Sequence, residues 1–342
     1  MSWRPFYLGE DMKPFKTIDE QIALLKSRGL VFKNEEVAKV NLLSFGYYEI
    51  VNGYKDILLE EGDTFQDGET FEHLLRLYYF DKSIKYAVLL ATLEVELLLR
   101  TALAYSIAET YGSDESEYLI RKNYRQGKKY QGNRGQTFYT IDKMFSKFDK
   151  IKNDNTQPYR HYRETHNNIP PWILLKGATF GNLIHFLKIQ KGAVKDKVYC
   201  ILSGLRVEII SDRNTGMKNL LQNVLDLSHQ FRNRAAHGGR MYNFRAKNCF
   251  VQYNKDFHKL MMINEEEHKQ GQGTGDIFTL LTALKFLHNV TQQEILLETI
   301  MRAIGDHIDL YPNDFEPMMN AMGIPTVIYD AYLGIYDREA RG

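Results

Sequence analysis

Across residues 70–111 the apolar side chains recur at helical spacing, and within 84–107 they fall on almost every face. A helix that is apolar all round must be packed on several sides, so this stretch predicts a central helix on which the rest is built. The spacing also allows two helices meeting near Asp81. The most apolar window begins at Ala87 and is interrupted by Glu94 and Glu96. It falls short of the roughly 20 uninterrupted apolar residues a membrane span needs. It therefore reads as a buried core helix, and no membrane partner is expected.

The remaining elements follow the same period. Thr17 and Glu20 form a capping box, in which a Thr oxygen accepts from the amide three residues on and the Glu reaches back. It opens a helix that stops near Gly29, and Asn34 can cap a second. Gly46 and Gly53 then break the pattern. Helical spacing returns through Ile141, Met144, Phe145 and Phe148, and Pro170-Pro171-Trp172 opens another helix, with proline tolerated in the first turn. Leu220, Leu221, Val224, Leu227 and Phe231 mark the buried stripe of a helix over about 217–237, ended by Gly238-Gly239. A further helix pair covers 277–304. With Pro312, Pro317 and Pro325, the tail is expected to be irregular. The only strand pattern is a possible short hairpin around 249–257. The chain reads as an all-α bundle, divided into an N-terminal helical region (1–69), a bundle (70–310) and a C-terminal tail packed on it (311–342).

The 342 residues carry a net charge of only +1, so any nucleic-acid binding must come from local patches rather than a long-range field. Cys200 and Cys249 supply neither a disulfide framework nor a CxxC pair and are expected as reduced thiols. The opening Met1-Ser2-Trp3-Arg4-Pro5 lacks the apolar run of a signal peptide, so the expected location is cytoplasmic.

The chemistry concentrates at Arg232-Asn233-Arg234-Ala235-Ala236-His237. No acid lies between Asp226 and Asp256, while Arg232, Arg234, Arg240, Arg245, Lys247 and Lys255 do. On a helix Asn233 and His237 lie within about 40° of each other, and Arg232 is about 100° to one side. Arg240 extends that face if the helix survives the glycine pair. One helix end can thus present imidazole, amide and guanidinium to one substrate. Cleavage of an RNA phosphodiester fits this set. The 2′-hydroxyl attacks phosphorus, one group takes its proton, and another protonates the leaving 5′-oxygen. Histidine titrates near neutrality, and arginine matches phosphate oxygens. No metal or other cofactor is called for. One histidine cannot readily serve as both acid and base, so a second copy of the site in a homodimer is expected. The plainer reading of His237 is a helix C-cap.

Arg232-Asn233-x-x-x-His237 resembles the arginine–polar–x3–histidine motif of HEPN domains, helical folds that are often metal-independent ribonucleases. The wider sequence resembles the Abi-like family of phage abortive-infection proteins, of the AbiD/AbiF type. The resemblance runs through Lys13-Pro14, Gln21, Leu24-Leu25 and Arg28-Gly29-Leu30, then Gly46-Tyr47-Tyr48 and Asn52-Gly53-Tyr54. It continues in Tyr79-Phe80-Asp81, Glu96-x-x-x-Arg100, Pro170-Pro171-Trp172, Thr179-Phe180-Gly181 and Met322-Gly323-Ile324-Pro325. Lys176 departs from it, and the basic loop at 119–136 has no counterpart in it. The resemblance implies a HEPN-type bundle, a growth-arresting toxin, and two Arg–His sets sharing a cleft. It makes Arg232 and His237 the catalytic pair, with Asn233 as polar companion. Glu96 and Arg100 either orient the motif or form a structural ion pair.

Residues 119–136 hold Arg121, Lys122, Arg125, Lys128, Lys129 and Arg134 with no acid. They predict an exposed, mobile loop that either grips an RNA backbone or is a solvated linker. His161, His166 and Glu164 suggest metal ligands, but a spacing of five separates the histidines' faces. Two readings follow. One is a metal-independent endoribonuclease acting as an anti-phage toxin, with an RNA substrate and a homodimeric unit. The other is a non-catalytic module of a phage-defence or toxin–antitoxin system that binds a small RNA or senses an antitoxin or phage-derived trigger. A metal phosphodiesterase would instead lose activity in EDTA.

Overall fold

The structure, a computed structural model, describes residues 14–132, 135–247, 249–288 and 291–339. The chain divides into two compact units, one running to Lys82 with Asp309–Pro312, the other Ser83–Ile308 with the residues from Asn313. Among the described residues it is all-α apart from one two-stranded hairpin.

In the first unit, α1 (Ile18–Ser27) opens on the predicted box. Thr17 Oγ1 accepts from the Glu20 amide at 3.3 Å, and Glu20 accepts from the Thr17 amide at 2.7 Å. Asn34 caps α2 (Glu35–Phe45) through the Val37 amide at 3.1 Å. Helix α3 (Phe71–Tyr111) begins where Val31 pairs with Thr70 and Phe32 stacks on Phe71 at 5.4 Å. It is one unbroken helix of 41 residues. There is no junction at Asp81, because that fully buried carboxylate accepts the Tyr54 hydroxyl at 2.7 Å. A partner brought in from elsewhere removes the reason to break the helix there.

In the second unit α3 buries Val88, Ala91, Val95, Leu99 and Leu103. One apolar face is nevertheless left open: Tyr86, Leu90, Leu93 and Leu97 keep 55, 59, 42 and 49 % of their surface exposed. At 100° per residue these four fall within about 60° of one another.

After α4 (Glu115–Tyr118), residues predicted as a loop include two short paired strands. Strand β1 (Lys129–Gln131) pairs antiparallel with β2 (Thr137–Tyr139), with Tyr130 opposite and stacked on Phe138 at 5.5 Å. The stem of this hairpin is anchored by buried Tyr124, whose hydroxyl donates to the Tyr118 carbonyl at 2.6 Å.

Then come α5 (Thr140–Lys152), α6 (Tyr159–His166), α7 (Pro171–Leu174), α8 (Phe180–Lys188), α9 (Gly192–Ser203) and α10 (Val207–Ser211). Helix α11 (Met217–Ala236) buries the predicted stripe and packs on α8 and α9. No hairpin forms at 249–257 among the described residues: the Val251 amide donates to the Thr274 carbonyl at 3.0 Å, and α12 (Lys255–Leu260) begins there.

Helices α13 (Glu265–Lys269), α14 (Ile277–Leu284) and α15 (Thr291–Ile308) follow; α14 packs on α11 and α15. The tail is helical, not irregular, as α16 (Phe315–Met322) and α17 (Thr326–Glu339). Its prolines do not prevent this. Pro312 and Pro325 precede helices, and Pro317 lies in the first turn of α16, where the missing N–H is not needed.

Candidate functional site at the end of helix α11

Helix α11 does not survive the glycine pair. The Gly239 amide donates to the Arg234 carbonyl at 3.0 Å and the Gly238 amide to that of Ala235 at 3.3 Å, with Gly238 at φ +74°. This is a Schellman turn, which glycine closes without a Cβ penalty. His237 is the C-cap residue, and its exposed imidazole makes no hydrogen bond among the described residues. Arg240 is therefore not on the helical face with Asn233 and His237. Its carbonyl accepts from Arg234 Nε at 3.1 Å. From α3, Lys85 Nζ reaches across to the Gly238 carbonyl at 3.1 Å and pins the turn.

Arg232 turns the other way, toward α3. Its NH2 lies 3.6 Å from Glu96 Oε2, a charge contact beyond hydrogen-bond length. Glu96 is buried, and its other oxygen accepts Arg100 NH2 at 2.8 Å. One desolvated carboxylate therefore holds two guanidinium groups. Such a charge is tolerable inside only when it is paired. Arg232 Nε, Arg100 Nε and Glu96 Oε2 are buried with no hydrogen-bond partner among the described residues, so the network is charge-matched but not saturated.

Arg232 NH1 also donates to Asn233 Oδ1 at 3.2 Å, and Asn233 Nδ2 lies 3.0 Å from His229 Nε2. Arginine can only donate, so the amide oxygen must face Arg232 and the NH2 must face His229. His229 Nε2 is then the acceptor, which requires a neutral ring with its proton on Nδ1. Burial, then the Arg232 charge, hold His229 below the ordinary imidazole pKa, with His185 and Lys188 adding and Asp226 opposing. Its ring stands edge-on to Phe180 at 5.5 Å, and a Cβ on Gly181 would meet Nε2 at 3.0 Å.

His229 was missed in the sequence. The signal was there: it precedes Asn233 by the same four residues by which His237 follows it.

The described residues of the basic segment lie at the surface, around the β1–β2 pair. Arg121, Lys122, Arg125, Lys128 and Lys129 are exposed, and Arg121 is paired with Asp142. Arg134 lies outside the described residues. The imidazoles of His161 and His166 meet at 5.3 Å despite their spacing, while Glu164 is held by Arg160 at 3.0 and 3.1 Å. Cys200 and Cys249 are free thiols, and burial pushes Cys249 up to about 12, far from a thiolate at neutral pH. In the first unit, Gln21, Leu24, Arg28, Tyr47 and Asn52 line one cavity of about 420 Å³.

A family model described as Abi-like protein matches residues 41–243, more than half of the chain. The chain belongs to the Abi-like protein family. Membership implies a part in abortive infection, the phage-defence response. No curated protein and no solved structure matches the chain.

Proposed function

We propose that this protein is a metal-independent endoribonuclease of the HEPN type that acts as a growth-arresting toxin in phage defence. The observation that carries the reading is the unpaired, exposed imidazole of His237, five residues beyond an arginine held by Glu96 and Asn233, in a stretch free of acids. Arg232 binds the phosphate and stabilises the charge that develops on it. Asn233 orients Arg232, and His237 moves protons. The 2′-hydroxyl attacks the adjacent phosphorus, and the P–O5′ bond breaks. The fragments carry a 2′,3′-cyclic phosphate and a 5′-hydroxyl.

Balance requires a proton taken from O2′ and one given to O5′. Each copy offers one free imidazole at this end of α11, so two copies facing each other supply both. The exposed stripe Tyr86, Leu90, Leu93 and Leu97 is the surface we assign to the second copy. It borders the site directly, because Lys85 and Glu96, which hold α11, lie along its edge on the same helix. An exposed apolar stripe of this kind marks an association surface.

The test incubates total RNA with the wild-type protein and with His237→Ala, both in EDTA. Degradation by the wild type alone supports the reading. Equal degradation by both proteins sinks it. RNA bound but left uncut by the wild type would favour the non-catalytic module, and loss of activity in EDTA a metal phosphodiesterase.

A further inference from the structure

The three longest stretches of this chain without an acidic residue are 118–141, 165–195 and 227–255. All 43 Asp and Glu lie outside them, in a protein whose net charge is only +1. They are far apart in sequence, yet the fold joins them edge to edge. The Arg125 amide donates to the Ile189 carbonyl at 2.8 Å, fastening the hairpin to the end of α8. Phe180 of α8 meets His229 of α11, and α5 packs on α8.

Helix α5, almost all of it outside these stretches and carrying Asp142 and Asp149, lies between them and completes a band across three helices. At the hairpin, Lys143 Nζ sits 3.5 Å from the centre of the Tyr130 ring. Lys147 bonds Asn182 on α8, beside exposed His185. The band then reaches His229, Asn233 and Arg232. Lys143, Lys195 and Arg125 have no carboxylate within ion-pair distance among the described residues. Of the acids beside the band, Asp226 holds Lys188 at 2.8 Å, Asp196 holds Lys218 at 2.7 Å, and Asp142 holds Arg121, while exposed Asp149 on α5 stays outside these pairs. The crowding of like charge is felt. Burial, then Lys188, Lys147 and Lys143, lower the His185 pKa against Asp226. Burial, then Arg125 and Lys188, lower that of Lys195 against Asp196. A surface whose cations repel one another gains most from a chain of phosphates.

We propose that this band is the binding track for single-stranded RNA, which runs from the hairpin across α5 and α8 and delivers one phosphate to Arg232 and His237. The track rests on the ribonuclease reading for its end point but binds independently of cleavage. Unpaired ammonium groups read the backbone and not the sequence, so the recognition is sequence-tolerant.

The test measures anisotropy of a labelled 20-nucleotide single-stranded RNA with His237→Ala protein in EDTA, over a range of salt. Adding Lys143→Ala and Lys147→Ala is expected to weaken binding at least about tenfold at low salt. The slope of log affinity against log salt should shrink by about 0.7 for each phosphate that is no longer neutralised. Lys285→Ala, off the band, leaves both unchanged. Unaltered affinity and slope in the double variant overturn the track, as does failure of the parent to bind RNA at all. If the band variants lose binding while the wild type cuts no RNA, the track stands and the ribonuclease reading fails. If the wild type cuts RNA and Lys143→Ala/Lys147→Ala cuts it equally fast at limiting RNA, the reverse holds.

Discussion

Asn233 stands between a group that can only donate and a ring that must accept, and this fixes the protonation of His229. Protonated His229 would offer N–H where Asn233 already offers N–H, and the amide would have to turn and release Arg232. Stability should follow. The His229 pKa is lowered in the fold, and in the unfolded chain imidazole titrates near about 6.5. As the pH falls, the unfolded state binds the proton first. The contribution is complete above about pH 6.5 and is lost progressively as the pH drops to the folded value. Urea midpoints between pH 5 and 8 should decline on the acid side, and less so in His229→Gln, which keeps an acceptor without titrating. An acid-side decline left unchanged by that substitution would refute the assignment. Glu96→Ala removes the counter-charge of two guanidinium groups and should cost about 3 kcal/mol of unfolding free energy. Glu96→Gln, which keeps the acceptor oxygen, should cost less.

Among elements, the helix end and the hairpin are set by glycines in left-handed backbone. Nothing crowds a Cβ at Gly238, so Gly238→Ala tests the backbone alone. It should lower stability by about 1–2 kcal/mol and reduce cleavage, because the turn aims His237. At Gly127, φ +76°, a Cβ would meet Thr140 at 2.6 Å and Ile189 at 2.8 Å. Gly127→Ala should therefore lift the hairpin from α8 and weaken RNA binding with little effect on the Arg232 network.

What the sequence made legible was local. The Thr17 box, the Asn34 cap, the α11 stripe and its glycine stop all depend on neighbours a few residues apart. What it concealed depended on distant partners. Asp81 passes mid-helix because Tyr54 meets it. Strands of three residues are too short to show alternation, so the hairpin read as a loop. The exposure of Leu90 and Leu93 was hidden because an apolar side chain does not say whether its own chain covers it. At the site, spacing drew attention to Arg232 and His237, whereas the pairing of Arg232 with Glu96 required α3 to cross α11.

At the scale of the whole molecule, composition says little, since the charges nearly cancel; their distribution matters. The second unit carries a basic band and, on α3, an apolar stripe, and the site lies where both reach α11. If the stripe joins two copies, light scattering at micromolar concentration should give the mass of a dimer. Leu90→Asp with Leu93→Asp should give a folded monomer of 40.0 kDa that binds RNA and does not cut it. A wild-type protein that is monomeric and still cuts RNA would refute the shared site.

The most direct measurement is the chemistry of the ends. RNA cut by the wild-type protein in EDTA should carry 2′,3′-cyclic phosphates and 5′-hydroxyls, and His237→Ala should produce no such ends. Fragments ending in 3′-hydroxyl and 5′-phosphate, or cyclic ends that persist in His237→Ala, would contradict the assignment of Arg232 and His237.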